Sequence, residues 1–285
     1  MVRMARLTRF DHDGLTFDVD DAGPEDGAPV VLLHGFPQRA TMWAGVAPLL
    51  HEAGLRTLAP DQRGYSSGAR PRGRAAYGLG RVVGDVAALV ERLGAGPVHL
   101  MGHDWGAAAA WSTAASRPEL LRSLVAVSVP HPAAMARALR TRDQLRRSWY
   151  MGFFQLPWLP ELALSRPALA GRFLGASGMD REMVARYGRE IVGDGALRGA
   201  LGWYRAMPLT ARGATGGSGL ARRVRVPTTY VWSDGDVALG RLGAELSAEH
   251  VVADYRFEVL PGLSHWIPDE APERLARIAL ERFLE

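Results

Sequence analysis

Short apolar runs alternate with helical patterns along the first half of the chain. Residues 30–33 (VVLL) and 124–129 (LVAVSV) are almost continuously apolar, as expected for strands buried on both faces of a parallel sheet. Between them, apolar residues from Leu79 to Leu93 recur every three or four positions, which predicts a helix with one apolar face. Strands that alternate with helices predict βαβ units, and therefore an α/β fold with a mostly parallel sheet.

The pattern extends to both ends of the chain. Alternation over residues 15–19, after Asp13-Gly14, predicts a hairpin strand, and residues 55–59 predict another strand. A helix is expected at about 41–53. Strand patterns return at 226–232 and 255–260, and a last helix is expected at 270–284. The sheet pattern therefore occupies two separate stretches of the chain.

A different pattern separates these two stretches. Residues from about 131 to 220 are rich in aromatic side chains and helical patterns but contain no predicted strand. Such an insertion between two halves of a sheet is typical of a helical cap over a site. We therefore predict a core of residues 1–130, a cap of 131–220 and a second core part of 221–285, with the glycine-rich stretch 212–219 as the connection back to the core.

Composition narrows the possible functions. The chain has 285 residues, no cysteine and a net charge of +4, so disulfides and thiol chemistry are excluded. All 34 basic residues are arginine, and the densest basic stretches contain no interleaved stacking aromatics, so we expect no nucleic-acid partner. No apolar run approaches the roughly 20 residues of a membrane span, and no signal peptide is recognisable. We expect a cytoplasmic protein without a membrane partner, as a monomer or homodimer.

Residues 97–111 (PVHLMGHDWGAAAAW) predict a strand, a tight turn and an alanine-rich helix. This is the context of a nucleophile elbow, in which two glycines let strand and helix approach closely around a strained central residue. The central residue here is Asp104. An aspartate could simply cap the helix, but Gly102 and Gly106 favour a nucleophile.

Two later loops supply possible partners for Asp104. Asp234 and Asp236 follow one predicted strand, and His265 follows the next. Nucleophile, acid and histidine in this order match the α/β-hydrolase arrangement, and all three loops are expected at the carboxyl ends of the strands. Asp236 fits the expected spacing better, but Asp234 stays open as the acid.

An aspartate nucleophile implies a particular chemistry. A carboxylate is already ionised at pH 7 and displaces a leaving group at an sp³ carbon, which gives an alkyl ester of the enzyme. His265, held by Asp236, would then activate the water that hydrolyses this ester.

These motifs together resemble the α/β-hydrolase fold epoxide hydrolases over essentially the whole chain. Residues 34–37 (HGFP) match the family's HGxP loop and residues 102–106 (GHDWG) match its elbow. Residues 149–155 (WYMGFFQ) resemble the cap segment that carries a ring-opening tyrosine, and residues 202–205 (GWYR) resemble the second such segment. The resemblance implies that an epoxide is opened to a vicinal diol without cofactor or metal.

The resemblance also implies roles for individual residues. The opened epoxide leaves as an alkoxide, which Tyr150 and Tyr204 would protonate, and the backbone N–H groups of Phe36 and Trp105 would form an oxyanion hole. The expected partners are a small epoxide and water. The residues expected to line the substrate pocket are His34, Pro37, Trp105, Phe153, Phe154 and Trp266.

Two other readings stay open. A haloalkane or haloacid dehalogenase could use the same triad, although haloalkane dehalogenases usually carry Asn where Phe36 stands. Fluoroacetate dehalogenases carry Arg where this chain has Trp105. A non-catalytic ligand-binding protein on a hydrolase scaffold is the third possibility.

Overall fold

A twisted eight-stranded sheet forms the centre of the fold. The computed structural model describes residues 6–214 and 223–285. Across the sheet the strand order is β1-β2-β4-β3-β5-β6-β7-β8. The strands are β1 (Arg9–His12), β2 (Leu15–Ala22), β3 (Ala28–Leu33), β4 (Leu55–Pro60), β5 (Val98–His103), β6 (Leu121–Val127), β7 (Thr228–Ser233) and β8 (Tyr255–Leu260). β1 and β2 form the predicted hairpin and β2 pairs antiparallel with β4, whereas the pairs from β4 to β8 are parallel.

Helices cover both faces of this sheet. They are α1 (Ala47–Glu52), α2 (Leu79–Leu93), α3 (Trp105–Ser116), α4 (Pro132–Ala138), α5 (Arg142–Arg147), α6 (Trp149–Phe153), α7 (Leu159–Leu164), α8 (Pro167–Gly175), α9 (Arg181–Tyr187), α10 (Leu197–Ala214), α11 (Arg241–Leu246), α12 (Ile267–Glu270) and α13 (Pro272–Phe283). Every residue of β4, β5 and β7 is buried. The predicted α/β-hydrolase fold with its mostly parallel sheet is confirmed.

A proline divides the first helix that the sequence pattern predicts as continuous, and another proline marks the start of the last helix. Residues 41–53 form a 3₁₀ helix, Ala40–Gly45, followed by α1, in which Pro48 occupies the first turn. Proline lacks the N–H that a continuous helix would need there, so the helix restarts. The last predicted helix, 270–284, corresponds to α13, and the short α12 precedes it; Ala271, just before Pro272, separates the two because it takes a non-helical conformation.

Apart from Val224, which forms a single β-bridge with Val251, the secondary structure described between β6 and β7 is helical. α4 packs against α3 and α11, next to the sheet, whereas Tyr150 in α6 and Tyr204 in α10 approach the loop after β5. The division at residues 131 and 220 into core and cap stays a prediction, and residues 215–219 of the expected connection lie outside the described residues. Over residues 6–214 and 223–285, none of the helices combines the length and apolarity that crossing a membrane would require.

The contact between β3 and α3 gives a test of the fold. A Cβ on Gly106, at the start of α3, would overlap the carbonyl oxygens of Leu33 and His34. We expect Gly106→Ala to lower the free energy of unfolding by about 1–3 kcal/mol, the usual cost of overpacking, measured by urea denaturation.

Gly80→Ala is the matched control, because Gly80 lies in α2 with open space around its Cβ position. This change should be neutral or stabilise the protein by about 0.4–1 kcal/mol. Equal effects of the two substitutions would contradict the close approach at Gly106.

Candidate active site

Asp104 sits at the sharp turn between β5 and α3. Its backbone has φ 53° and ψ −120°, a region that residues with a side chain rarely occupy. The turn is held by the Asp104 N–H, which donates to Val127 O at 3.3 Å, and by Asp104 O, which accepts from Ala107 N at 3.0 Å. The strain directs a largely buried carboxylate to the carboxyl end of the sheet, where active sites of open α/β sheets lie.

His265 lies between two carboxylates. Its Nδ1 is 2.7 Å from Asp236 Oδ2, and its Nε2 is 3.4 Å from Asp104 Oδ2. Asp236 is buried, whereas Asp234 is exposed and accepts a hydrogen bond from Gly262 N at 2.7 Å. The structure thus places Asp236, rather than Asp234, beside the histidine.

The two carboxylates determine the protonation of His265. Burial alone lowers its pKa, but the charge of Asp236 and the hydrogen bonds to Asp104 and Asp236 outweigh burial and raise the pKa to about 10. For Asp104, burial raises the pKa, but the hydrogen bond and charge of His265 outweigh it and hold the pKa below its ordinary value. At neutral pH the site therefore contains an imidazolium between two carboxylates.

Backbone N–H groups also bond the Asp104 carboxylate. The Phe36 N–H donates to Asp104 Oδ1 at 2.7 Å. The Trp105 N–H also contributes to the lowered pKa of Asp104. These are the two groups expected to form an oxyanion hole.

Two phenols approach Asp104 from the helical segment above the sheet. Tyr204 is 3% exposed and Tyr150 is half-buried, and their ring centroids are 6.0 Å apart. Burial, followed by the negative charge of Asp104, raises the pKa of both hydroxyls. Both phenols therefore carry their protons at neutral pH and can donate them.

Two cavities meet at the side chains of Asp104, Tyr150 and Tyr204. Cavity A has a volume of about 630 Å³ and extends under α4, with walls that include Trp105, Met135 and Met207. Cavity B has a volume of about 830 Å³ and extends towards α5 and α8. Asp104, Tyr150 and Tyr204 line both cavities. A substrate with a substituent in each cavity would present its centre to Asp104.

Most of the expected pocket residues line a cavity, but two do not. Pro37, Phe154 and Trp266 lie on the wall of cavity B, and Trp105 lies on that of cavity A. His34 is fully buried behind the loop, where its Nε2 accepts from Gln62 N at 2.9 Å, and it lines neither of these cavities.

Phe153 likewise lines neither of these two cavities. Its ring contacts those of Trp149 and Phe154, which both line cavity B.

A family model described as the alpha/beta hydrolase fold matches residues 28–272. The chain belongs to the α/β-hydrolase family. It is 34% identical to the AB hydrolase superfamily protein YfhM of Bacillus subtilis, over 94% of each chain. It is 30% identical to Epoxide hydrolase A of Mycobacterium tuberculosis, over 95% of each chain. The structure of Epoxide Hydrolase A from Mycobacterium thermoresistibile superimposes with a TM-score of 0.82 at 25% identity, over 97% of each chain. The resemblance to epoxide hydrolases that the motifs predict is confirmed.

This α/β-hydrolase also contains a support for His265 that the sequence did not reveal. Ser128 follows β6 with φ 67°, is fully buried, and donates from Oγ to His265 O at 2.8 Å. His103 Nε2 is 2.9 Å from the same oxygen. A serine in the left-handed region has no sequence signature, so only the fold identifies Ser128. Loop support by His103, in contrast, is suggested by its place in the elbow motif.

The paired carboxylates give a test of the site. We expect the His265 imidazole to be protonated at pH 7, with a pKa near 10, because Asp104 and Asp236 stabilise the cation. Asp104→Asn removes one of these charges and should lower the His265 pKa. The measurement is a pH titration of ¹⁵N-labelled histidine by NMR.

Asp234→Asn is the control, because Asp234 is exposed and bonded to Gly262 N instead. It should leave the His265 titration unchanged. A neutral His265 at pH 7 in the wild type would contradict this description of the site.

Proposed function

We propose that this α/β-hydrolase is an epoxide hydrolase that forms a vicinal diol through an Asp104 ester. The observation that carries the proposal is the set of groups around one carboxylate. Asp104 Oδ1 accepts from Phe36 N–H, Oδ2 faces His265 Nε2, and two protonated phenols line the cavities next to it. Similarity to proteins named epoxide hydrolases supports the same reaction class.

In the first step a carboxylate oxygen of Asp104 attacks one epoxide carbon. A C–O bond of the ring breaks, and the electron pair goes to the ring oxygen, which takes a proton from Tyr150 or Tyr204. The products are a β-hydroxyalkyl ester of Asp104 and a tyrosinate. Because the charge of Asp104 contributes to the raised pKa of both phenols, neutralising it favours release of their protons.

The same loss of charge prepares the second step. The ester no longer offers His265 a carboxylate, so the pKa of His265 falls. The imidazolium gives its proton, by way of solvent, to the tyrosinate formed in the first step, and the neutral imidazole becomes available as a base. His265 takes a proton from water, and the hydroxide attacks the ester carbonyl carbon. The N–H groups of Phe36 and Trp105 are positioned to stabilise the resulting oxyanion, an effect of roughly 2.7–4 kcal/mol per donor.

Collapse of this intermediate completes the reaction. The C–O bond to the substrate breaks, and the leaving alkoxide takes the proton from His265, which gives the diol. Asp104 is left as the carboxylic acid, and its proton passes to His265, which restores the Asp104 carboxylate and the imidazolium. One Asp104 oxygen now comes from water, so the sum of the steps is an epoxide plus water giving a diol.

Isotope transfer tests the covalent route. One turnover of excess enzyme with styrene oxide in H₂¹⁸O should place the label in Asp104 and not in the diol, as measured by mass spectrometry of both. Label in the diol on the first turnover would contradict the ester intermediate. Absence of diol from a panel of aryl, terminal and disubstituted epoxides would contradict the proposed function.

Removal of each phenol tests proton donation. We expect Tyr204→Phe and Tyr150→Phe to slow ester formation by roughly 10²-fold or more, and the double variant to slow it further, because the alkoxide loses its acid. Rapid-quench measurement of the Asp104 ester gives this rate. Tyr187→Phe is the control, since the Tyr187 hydroxyl bonds Leu164 O away from Asp104. Unchanged ester formation in the double variant would exclude this role.

A further inference from the structure

The side chain of Gln144 is buried against the loop that carries the triad acid. Gln144 lies in α5 and is 1% exposed. Its Nε2 donates to Ala238 O at 2.8 Å and to Ser148 Oγ at 2.9 Å, and its Oε1 accepts from Gly240 N at 2.9 Å. The bonds to Ala238 O and Gly240 N fix the orientation of the amide, because only the nitrogen can donate and only the oxygen can accept.

Residues 238–240 of this loop also hold the carboxylate of Asp236. The N–H groups of Ala238 and Leu239 donate to Asp236 Oδ1 at 2.7 and 3.0 Å. These bonds leave Oδ2 directed at His265 Nδ1, 2.7 Å away. The orientation of Asp236 therefore depends on where residues 238–240 lie, and Gln144 bonds both ends of this segment.

Two further contacts join α5 to the loop. Arg147 Nη1 donates to Asp236 O at 3.0 Å. A Cβ on Gly240 would lie 2.9 Å from Asp143 Oδ2 and 3.3 Å from Gln144 Oε1, so the loop backbone packs directly against α5. Helix α5 thus contacts residues 236–240, the acid loop, through buried hydrogen bonds and close packing against the loop backbone.

We infer that Gln144, assisted by Arg147, is a positioning residue that fixes the orientation of Asp236 and thereby acts on ester hydrolysis. The inference rests on the proposed function. Ester formation requires the Asp104 carboxylate and a phenol, neither of which touches the Gln144 amide. Hydrolysis requires His265 held by Asp236. Loss of the Gln144 amide should therefore slow the second step and leave the first nearly unchanged.

Gln144→Met tests this separation, because methionine is similarly long and unbranched but has no amide. We expect hydrolysis of the Asp104 ester to be slowed roughly tenfold, about the effect of losing one net hydrogen bond. The ester should accumulate in rapid-quench experiments with styrene oxide. Arg147→Met, at a half-exposed position, should act in the same direction by roughly threefold.

The pH dependence of ester hydrolysis distinguishes a role of Gln144 in positioning Asp236 from a general loss of stability. The groups facing His265 are Asp104, Asp236 and His103, and in the ester Asp236 supplies the negative charge. A displaced Asp236 stabilises the imidazolium less, so the pH profile of hydrolysis in Gln144→Met should shift to lower pH. Tyr187→Phe, which also removes a buried bond from the helical segment, should lower stability without shifting this profile.

A measurement without substrate completes the test. The proton between His265 Nδ1 and Asp236 should give a low-field NMR resonance in the wild type that weakens or shifts in Gln144→Met and Arg147→Met. Wild-type hydrolysis rates together with an unchanged resonance in both variants would overturn the inference. If wild type forms no ester from any epoxide, the proposed function fails, and the resonance alone decides whether Gln144 positions Asp236.

Discussion

The site depends on a buried carboxylate that is stabilised as an anion. Asp104 is largely withdrawn from water, which by itself favours its neutral form, yet the hydrogen bond and charge of His265 keep its pKa low. His265 in turn keeps its positive charge because Asp104 and Asp236 stand on either side of it. The strained turn at Asp104 and the left-handed Ser128 both hold these groups in place. Asp104 and His265 thus stabilise each other's charge.

On the proposed mechanism, one change of charge coordinates both half-reactions. Conversion of Asp104 to an ester removes the negative charge that raises the pKa of the phenols and of His265. The phenols become better acids when an alkoxide forms, and His265 becomes a base when an ester needs water. The two cavities that meet at Asp104 would hold the substituents of the substrate on either side.

The sequence predicts those features that local patterns encode. Periodicity and the order of strands and helices predict the sheet, and the glycines around Asp104 predict the elbow. Patterns could not reveal contacts between distant segments, such as Ser128 with His265 or Gln144 with the acid loop. They also do not show which of the expected pocket residues line the two cavities at Asp104. The choice between Asp234 and Asp236 likewise needed the geometry of the folded loop.

The central claim is that Asp104 becomes alkylated, and a variant without the base tests it most directly. His265→Gln retains Asp104 and both tyrosines but cannot activate water. After incubation with styrene oxide, mass spectrometry should show the protein heavier by one epoxide, with the adduct on the peptide that contains Asp104. Diol formation by this variant without any adduct, or an adduct on another residue, would contradict the account.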